Sequence, residues 1–214
     1  MNNRPPVIGI VGRIGAGKTT AQSHLETRGY TSYNMAQPLK AVALCLGFKY
    51  KECYGTQEQK LAINEQWGIS GRRFLQLFGT DVCRKLLPKK IPEMHSVWIQ
   101  CFENYAKAND GPIVIGDIRF PDEAESIRKL GGILIRIERN TNHSGEQTQH
   151  ASELEQNEIK VNHIIDNNGS LHSLTQKLDA IIGYEEPTKE GIDPLLITVI
   201  VALGLGALAK IYRR

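Results

Sequence analysis

The chain has little of what marks a secreted, disulfide-framed or metal-scaffolded protein. Its 214 residues hold four cysteines, Cys45, Cys53, Cys83 and Cys101, with no C-x-x-C pair and no histidine at metal-ligand spacing. That pattern predicts reduced thiols in a cytosolic compartment and argues against a zinc site. The start shows no basic-then-apolar signal pattern, since Pro5 and Pro6 precede a first apolar run only a strand long, so the catalytic part is expected not to be secreted. Charge of one sign is scarce. The formal net charge is +3, and Lys and Arg are scattered until the last five positions, so no basic face for nucleic acid is expected. The hydrophobic share of 41% is ordinary for a soluble core, and the length suits one α/β domain with an appendage.

What is present begins with Gly12-Arg13-Ile14-Gly15-Ala16-Gly17-Lys18-Thr19, directly after the apolar run Val7 to Val11 and before a helical pattern. The spacing G-x-x-x-x-G-K-[ST] predicts a phosphate-binding P-loop, and strand, loop and helix fall where that motif requires them. Its glycines let backbone N–H groups wrap a phosphate, and the following helix presents its positive end to the anion. The expected ATP contacts are Arg13, Gly15, Ala16, Gly17, Lys18, Thr19 and Thr20, with Lys18 on the β- and γ-phosphates and Thr19 on Mg²⁺. A glycine-rich turn that binds nothing is the bland alternative.

Further along, helix Lys18 to Arg28 stops at Gly29, and Tyr30 to Tyr33 reads as a short strand. Pro38 suits the first turn of a helix carrying Lys40, a lysine that opposes the helix dipole and is therefore either solvent-exposed or close to an anion. Residues 49–66 are polar and weakly patterned, and no function is assigned to them. The run Arg72 to Arg84 has helical spacing with Arg72, Gln76 and Arg84 off the apolar stripe. A second amphipathic helix, His95 to Ala108, buries Trp98 as a core residue, unless that ring edges a pocket and stacks on a base. Ile113 to Arg119 is a buried parallel strand ending in Asp117. Asp117 sits where ligands bind in open α/β sheets, to hold Mg²⁺ or accept from a substrate hydroxyl; a surface pair with Arg119 is the plain alternative. A helix opened by Pro121, Asp122 and Glu123, a strand Ile133 to Ile137 and a strand His163 to Asp166 follow. The helix Leu171 to Ile182 closes the domain. Between Arg139 and Gln149 the aperiodic stretch is the expected lid, with Arg139 poised to neutralise charge on the transferring phosphoryl. His143 and His150 read as loop residues.

These pieces resemble the phage-type deoxynucleoside monophosphate kinases, a branch of the P-loop nucleoside monophosphate kinases, over Val7 to Ile182. The matching residues are the P-loop, Gln37-Pro38-Leu39-Lys40, Arg72-Arg73, Gly79-Thr80-Asp81, Trp98 and Asp117-Ile118-Arg119 with Glu123. Gly131-Gly132, Arg139, His150-Ala151-Ser152-Glu153 and Asn168-Gly169-Ser170-Leu171 continue the series. The resemblance implies that Lys40, Arg72, Trp98, Asp117, Arg119 and Glu123 line the monophosphate site, that Arg139 belongs to the lid, and that Asn168-Gly169 lies near the adenine of ATP. Lys18, Asp117, Arg119 and Arg139 are then the catalytic set. Thr19 is a departure, since many relatives carry Asp there and Thr next.

The expected fold is an α/β P-loop kinase: a five-stranded, mostly parallel sheet with helices on both faces, a small lid and a C-terminal hydrophobic helix. The domain spans 1–183 and a polar linker 184–194. The tail 195–212 includes fifteen uncharged residues from Leu195 to Ala209. As a helix those fifteen reach only about 22 Å against a hydrocarbon core of about 30 Å. The expectation is a tail anchor with the kinase domain in the cytoplasm; the alternative is a helix that packs on the domain or drives a homodimer. The expected reaction is ATP plus a deoxynucleoside monophosphate giving ADP and the diphosphate. The runners-up are a P-loop kinase for another phosphorylated acceptor, phosphomevalonate-like or dephospho-coenzyme A-like, and an inactive nucleotide-binding membrane protein.

Overall fold

The computed structural model describes residues 4–140 and 156–185. Five strands form one sheet: β1 (Val7–Val11), β2 (Thr31–Tyr33), β3 (Ile113–Ile115), β4 (Ile133–Glu138) and β5 (His163–Asp166). Their order is β2-β3-β1-β4-β5, and every pairing is parallel rather than merely most of them. Period-two alternation divides β1 between the two faces. Ile8 and Ile10 pack with Ala21 and Leu25 of α1 (Lys18–Thr27) and with Leu174 and Leu178 of the helix Leu171–Ile181. Val7 and Val11 pack on the other face, with Phe102 of Val97–Lys107 and with Ala124 and Ile127 of Pro121–Lys129. Burial on both faces is why β1 and β3 read as unbroken apolar runs.

The excursion after α2 (Gln37–Cys45) is more ordered than its polar sequence suggests. Helices α3 (Tyr50–Tyr54) and α4 (Gln57–Leu61) pack with α5 (Gly71–Gln76) over a small core of Ala43, Phe48 and Cys53. Its organiser is the buried carboxylate of Glu52, which accepts from Lys49 N–H at 2.9 Å and Asn64 Nδ2 at 2.8 Å. The Asn64 side-chain oxygen in turn accepts from the backbone N–H groups of Gln66 and Trp67.

The expected helix Arg72 to Arg84 changes winding part-way. After α5 the segment Leu77–Leu86 is π-helical, followed by α6 (Leu87–Lys90) and a 3₁₀ turn, Pro92–Met94. The wider i→i+5 pairing keeps residues four and five apart on one side, so Gln76, Thr80 and Arg84 all face one cavity. The remaining helices are α7 (Val97–Lys107), α8 (Pro121–Lys129) and α9 (Leu171–Ile181).

No helix among the described residues is long and apolar enough to cross a membrane. The expected lid from residue 141 onward and the tail 195–212 lie outside the described residues.

Candidate active site

β1 is flanked by β3 on one side and β4 on the other, so the chain folds away in both directions from its carboxyl end. Open α/β sheets bind ligands at that switch point. Here β1 delivers the loop Gly12 to Lys18. Two glycines are required by close approach: a Cβ on Gly12 would lie 2.6 Å from the Ile137 carbonyl, and one on Gly17 2.5 Å from Asn167 Nδ2. Gly17 also has φ 103° and caps α1 without any side-chain acceptor, leaving the first-turn amides for an anion. Lys18 Nζ donates to the carbonyls of Gly12 at 2.5 Å and Arg13 at 2.9 Å, so the ammonium lies over its own loop. Arg13, Gly15, Thr19 and Thr20 are exposed and Ala16 is buried beneath them.

Asn167 is a site residue that sequence reading passed over in favour of its neighbours Asn168 and Gly169. Buried between β5 and α9, it donates through Nδ2 to the Ala16 carbonyl at 2.8 Å and fixes the loop from below. Asn168 faces outward, and its side-chain oxygen accepts from Asn140 N–H at 2.8 Å, tying the end of β5 to the chain that leaves β4. Arg139 and Arg13 line a cavity of about 280 Å³ beside the loop, with Arg136 behind them held by the carbonyls of Gln156 and Ile159.

The larger cavity, about 620 Å³, opens on the other side of the loop, and Ile14 of the loop forms part of its wall. Lys40, Arg72, Trp98, Asp117, Arg119 and Glu123, six residues far apart in sequence, all line it. Lys40 is half-buried, with its ammonium 4.4 Å from the centre of the Tyr54 ring, so the solvent-exposed alternative is corrected. Burial lowers its pKa, Asp117 opposes that, and the nearby charges of Lys60 and Arg119 lower it again. Trp98 is a half-buried wall residue rather than core; its Nε1–H donates to the Gly79 carbonyl at 3.1 Å, which sets the plane of the indole. Arg72 donates to the side-chain oxygen of Gln57. Arg119 is exposed, and its guanidinium has no ion-pair partner among the described residues.

The two carboxylates in this wall are already engaged. Asp117 accepts from the N–H groups of Met35 at 2.8 Å and Ala36 at 3.2 Å, just ahead of α2, so it is not a simple surface partner of Arg119. Glu123 is 4% exposed and caps its own helix: Oε2 accepts from Arg119 N–H and Phe120 N–H, and Oε1 meets Arg84 Nη2 at 2.7 Å. Burial pushes Glu123 up to about 7 against the pull of the Arg84 guanidinium and the Arg119 amide. Arg84 also reaches Asp122 and covers the Phe120 ring at 3.8 Å. Five cations therefore line a cavity whose two carboxylates are both tied down. Such a wall suits a phosphorylated ligand beside the P-loop.

A family model for deoxynucleotide monophosphate kinases matches residues 47–178, more than half of the chain. The chain belongs to the deoxynucleotide monophosphate kinase family. It is 38% identical over 168 residues to a protein of Acanthamoeba polyphaga mimivirus named "Putative deoxynucleotide monophosphate kinase", covering 74% of this chain and 86% of that one. A deoxynucleoside-5'-monophosphate kinase of Escherichia phage T5 is 34% identical over 86 residues, 37% of this chain and 32% of its own length. Among solved structures, dephospho-CoA kinase from Campylobacter jejuni aligns at a TM-score of 0.44 with 16% identity, over 83% of this chain and 96% of that one. The family match begins at residue 47 and so includes α3 and α4, the segment whose sequence carried no assignment. Gln57 and Lys60 of α4 line the larger cavity. Only their three-residue spacing on one helical face could have marked them.

Proposed function

We propose that this chain transfers the γ-phosphoryl group of ATP to a deoxynucleoside monophosphate, giving ADP and the diphosphate. The observation that carries this reading is the cation-lined cavity of about 620 Å³ opening beside the P-loop. ATP occupies the loop, with the α1 amides and Lys18 on its phosphates, Arg13 and Arg139 alongside, and Asn168-Gly169 towards the base. The uncapped helix start and the exposed Thr19 hydroxyl fit Mg·ATP. Mg²⁺ would neutralise phosphate charge, with the Thr19 hydroxyl as its proposed protein contact; Asp117, the other expected contact, is already taken up by the amides of Met35 and Ala36. The acceptor lies in the larger cavity with its phosphate towards Arg119 and Lys40 and its base against Trp98. No general base is required, because the attacking oxygen is an anionic phosphate already; the protein supplies position and compensating charge. Glu123 acts at one remove, holding Arg84 and the Arg119 backbone in place. The uncharged run Leu195 to Ala209 is retained as a proposed anchor, read by carbonate extraction with and without the residues after Glu190.

The test is ADP release with each deoxy- and ribonucleoside monophosphate as acceptor. Turnover of one or more deoxynucleotides well above the ATP-only rate is expected. Turnover of dephospho-coenzyme A or phosphomevalonate, and of no nucleotide, would refute the assignment.

A further inference from the structure

Lys60 lies in the stretch the sequence left without a role, and its surroundings are unusual for a lysine. It projects from α4 into the same cavity as Lys40, Arg72 and Arg119. The helix that carries it is fixed at its start by a reciprocal cap, Thr56 N–H to Gln59 Oε1 at 2.9 Å and Gln59 N–H to Thr56 Oγ1 at 3.3 Å. Three residues before it, Gln57 steadies Arg72. No hydrogen bond or ion pair engages the Lys60 ammonium among the described residues. Its charge is felt at Lys40, as is that of Arg119. The two cavity carboxylates are spent on the backbone of Met35 and Ala36 and on Arg84 with the start of α8. Asp117 offsets part of this charge at Lys40, but five cations face two carboxylates across the cavity, so its wall is net positive and draws an anion.

We propose that Lys60 is a further acceptor-binding residue, closing with Lys40 and Arg119 around the phosphate of the deoxynucleoside monophosphate. This rests on the kinase reading above and extends it to α4, which becomes one wall of the acceptor site rather than a variable surface excursion. The acceptor's phosphate carries close to two negative charges at neutral pH, and three converging cations match that charge better than one guanidinium alone.

The experiment compares Lys60→Ala and Lys60→Arg with the natural protein. The Ala variant removes no hydrogen bond or ion pair found among the described residues and relieves like-charge repulsion in the wall, so its melting temperature without ligand should stay the same or rise by a few degrees at most. Its acceptor KM should rise about tenfold to a hundredfold, the loss of one charge-assisted hydrogen bond, with ATP KM within about twofold. The Arg variant should recover most of this. A second measurement compares binding of the deoxynucleoside monophosphate with binding of the same unphosphorylated deoxynucleoside. Only the former should weaken in Lys60→Ala; equal weakening would place Lys60 at the base or sugar and overturn the proposal, as would an unchanged acceptor KM. To separate this from the kinase reading, inorganic phosphate is titrated into protein saturated with Mg²⁺ and a non-hydrolysable ATP analogue. Stabilisation that depends on Lys60, with no nucleotide turned over, leaves the anion site standing and removes the kinase assignment. Nucleotide turnover with stabilisation indifferent to Lys60 does the reverse.

Discussion

Asp117 separates two accounts of the site, and replacing it tells them apart. In the structure its carboxylate holds the N–H groups of Met35 and Ala36, at 2.8 and 3.2 Å, where the chain turns from β2 into α2. One helical turn further on, Lys40 leaves α2 for the cavity. Asp117→Ala would leave two partly buried donors without an acceptor. Each charge-assisted hydrogen bond is worth about 1.5–3 kcal/mol, and half-exposure lets water restore part of that, so the net loss should be about 2–4 kcal/mol. For a domain of this size that lowers the melting temperature by about 4–16 °C. Asp117→Asn keeps one acceptor oxygen but turns an NH₂ towards the second amide, so about half of that loss should remain. In steady-state kinetics the displaced α2 should raise the acceptor KM while the ATP KM moves little. The paired assay is thermal unfolding without ligand and turnover against Mg²⁺ concentration. A variant that melts within roughly 1 °C of the natural protein yet needs far more Mg²⁺ would refute the positioning account and make Asp117 a metal contact.

Lys18→Ala should reduce turnover by several orders of magnitude, because its ammonium acts chiefly on charge that develops in the transition state, while loss of its bonds to the Gly12 and Arg13 carbonyls lowers the melting temperature by a few degrees; near-normal turnover would remove the P-loop from the chemistry. Arg119→Ala should lower kcat/KM for the acceptor far more than it changes ATP affinity, and Arg119→Lys should not restore it, since a guanidinium meets phosphate with two parallel bonds and an ammonium cannot. Equal loss on both substrates would count against that role. Asp179 is held by Arg28 through both oxygens, at 2.9 and 2.8 Å, and by His24 at 2.8 Å, joining α1 to α9. Burial alone would raise its pKa, but the hydrogen bonds from Arg28 and His24 bring it below the ordinary value. The stability it contributes is therefore present above the unfolded pKa of about 3.9 and is lost as pH falls through the lower folded value. Asp179→Asn should cost about 1–3 kcal/mol at pH 7, read by denaturant unfolding, and the gap from the natural protein should close below about pH 4; a gap independent of pH would show that packing, not charge, is lost.

Local signals were enough for the parts of the site that sit on regular elements. β1 and β3 are buried on both faces, so each is an uninterrupted apolar run, and Gly12 to Thr19 has its chemistry written into consecutive residues. Asp117 and Arg119 were legible because they directly follow β3 at the sheet's ligand-binding end. What Asp117 holds was not, because Met35 and Ala36 are more than eighty positions away and backbone amides leave no trace in side-chain pattern. The stretch 49–66 failed for a related reason. Its order comes from one buried carboxylate, Glu52, satisfied by a local amide and by Asn64, and a hydrogen-bonded polar core has no hydrophobic period to detect. For Lys40 and Trp98 the default rules, exposed lysine and buried tryptophan, hold only where no cavity intervenes, and it is the resemblance that put both beside one. Both side chains end half-buried in the same wall, each with its polar or charged end held by a ring or a carbonyl across it. The π-helical turn after Gln76 is the hardest to foresee, because its sequence still has ordinary helical spacing. Gly79 lies in it against Leu39 of α2, where a Cβ would approach to 2.6 Å, and its carbonyl accepts from Trp98. The wider winding thus packs against two other helices, α2 and α7, the same helices that carry Lys40 and Trp98 to the larger cavity.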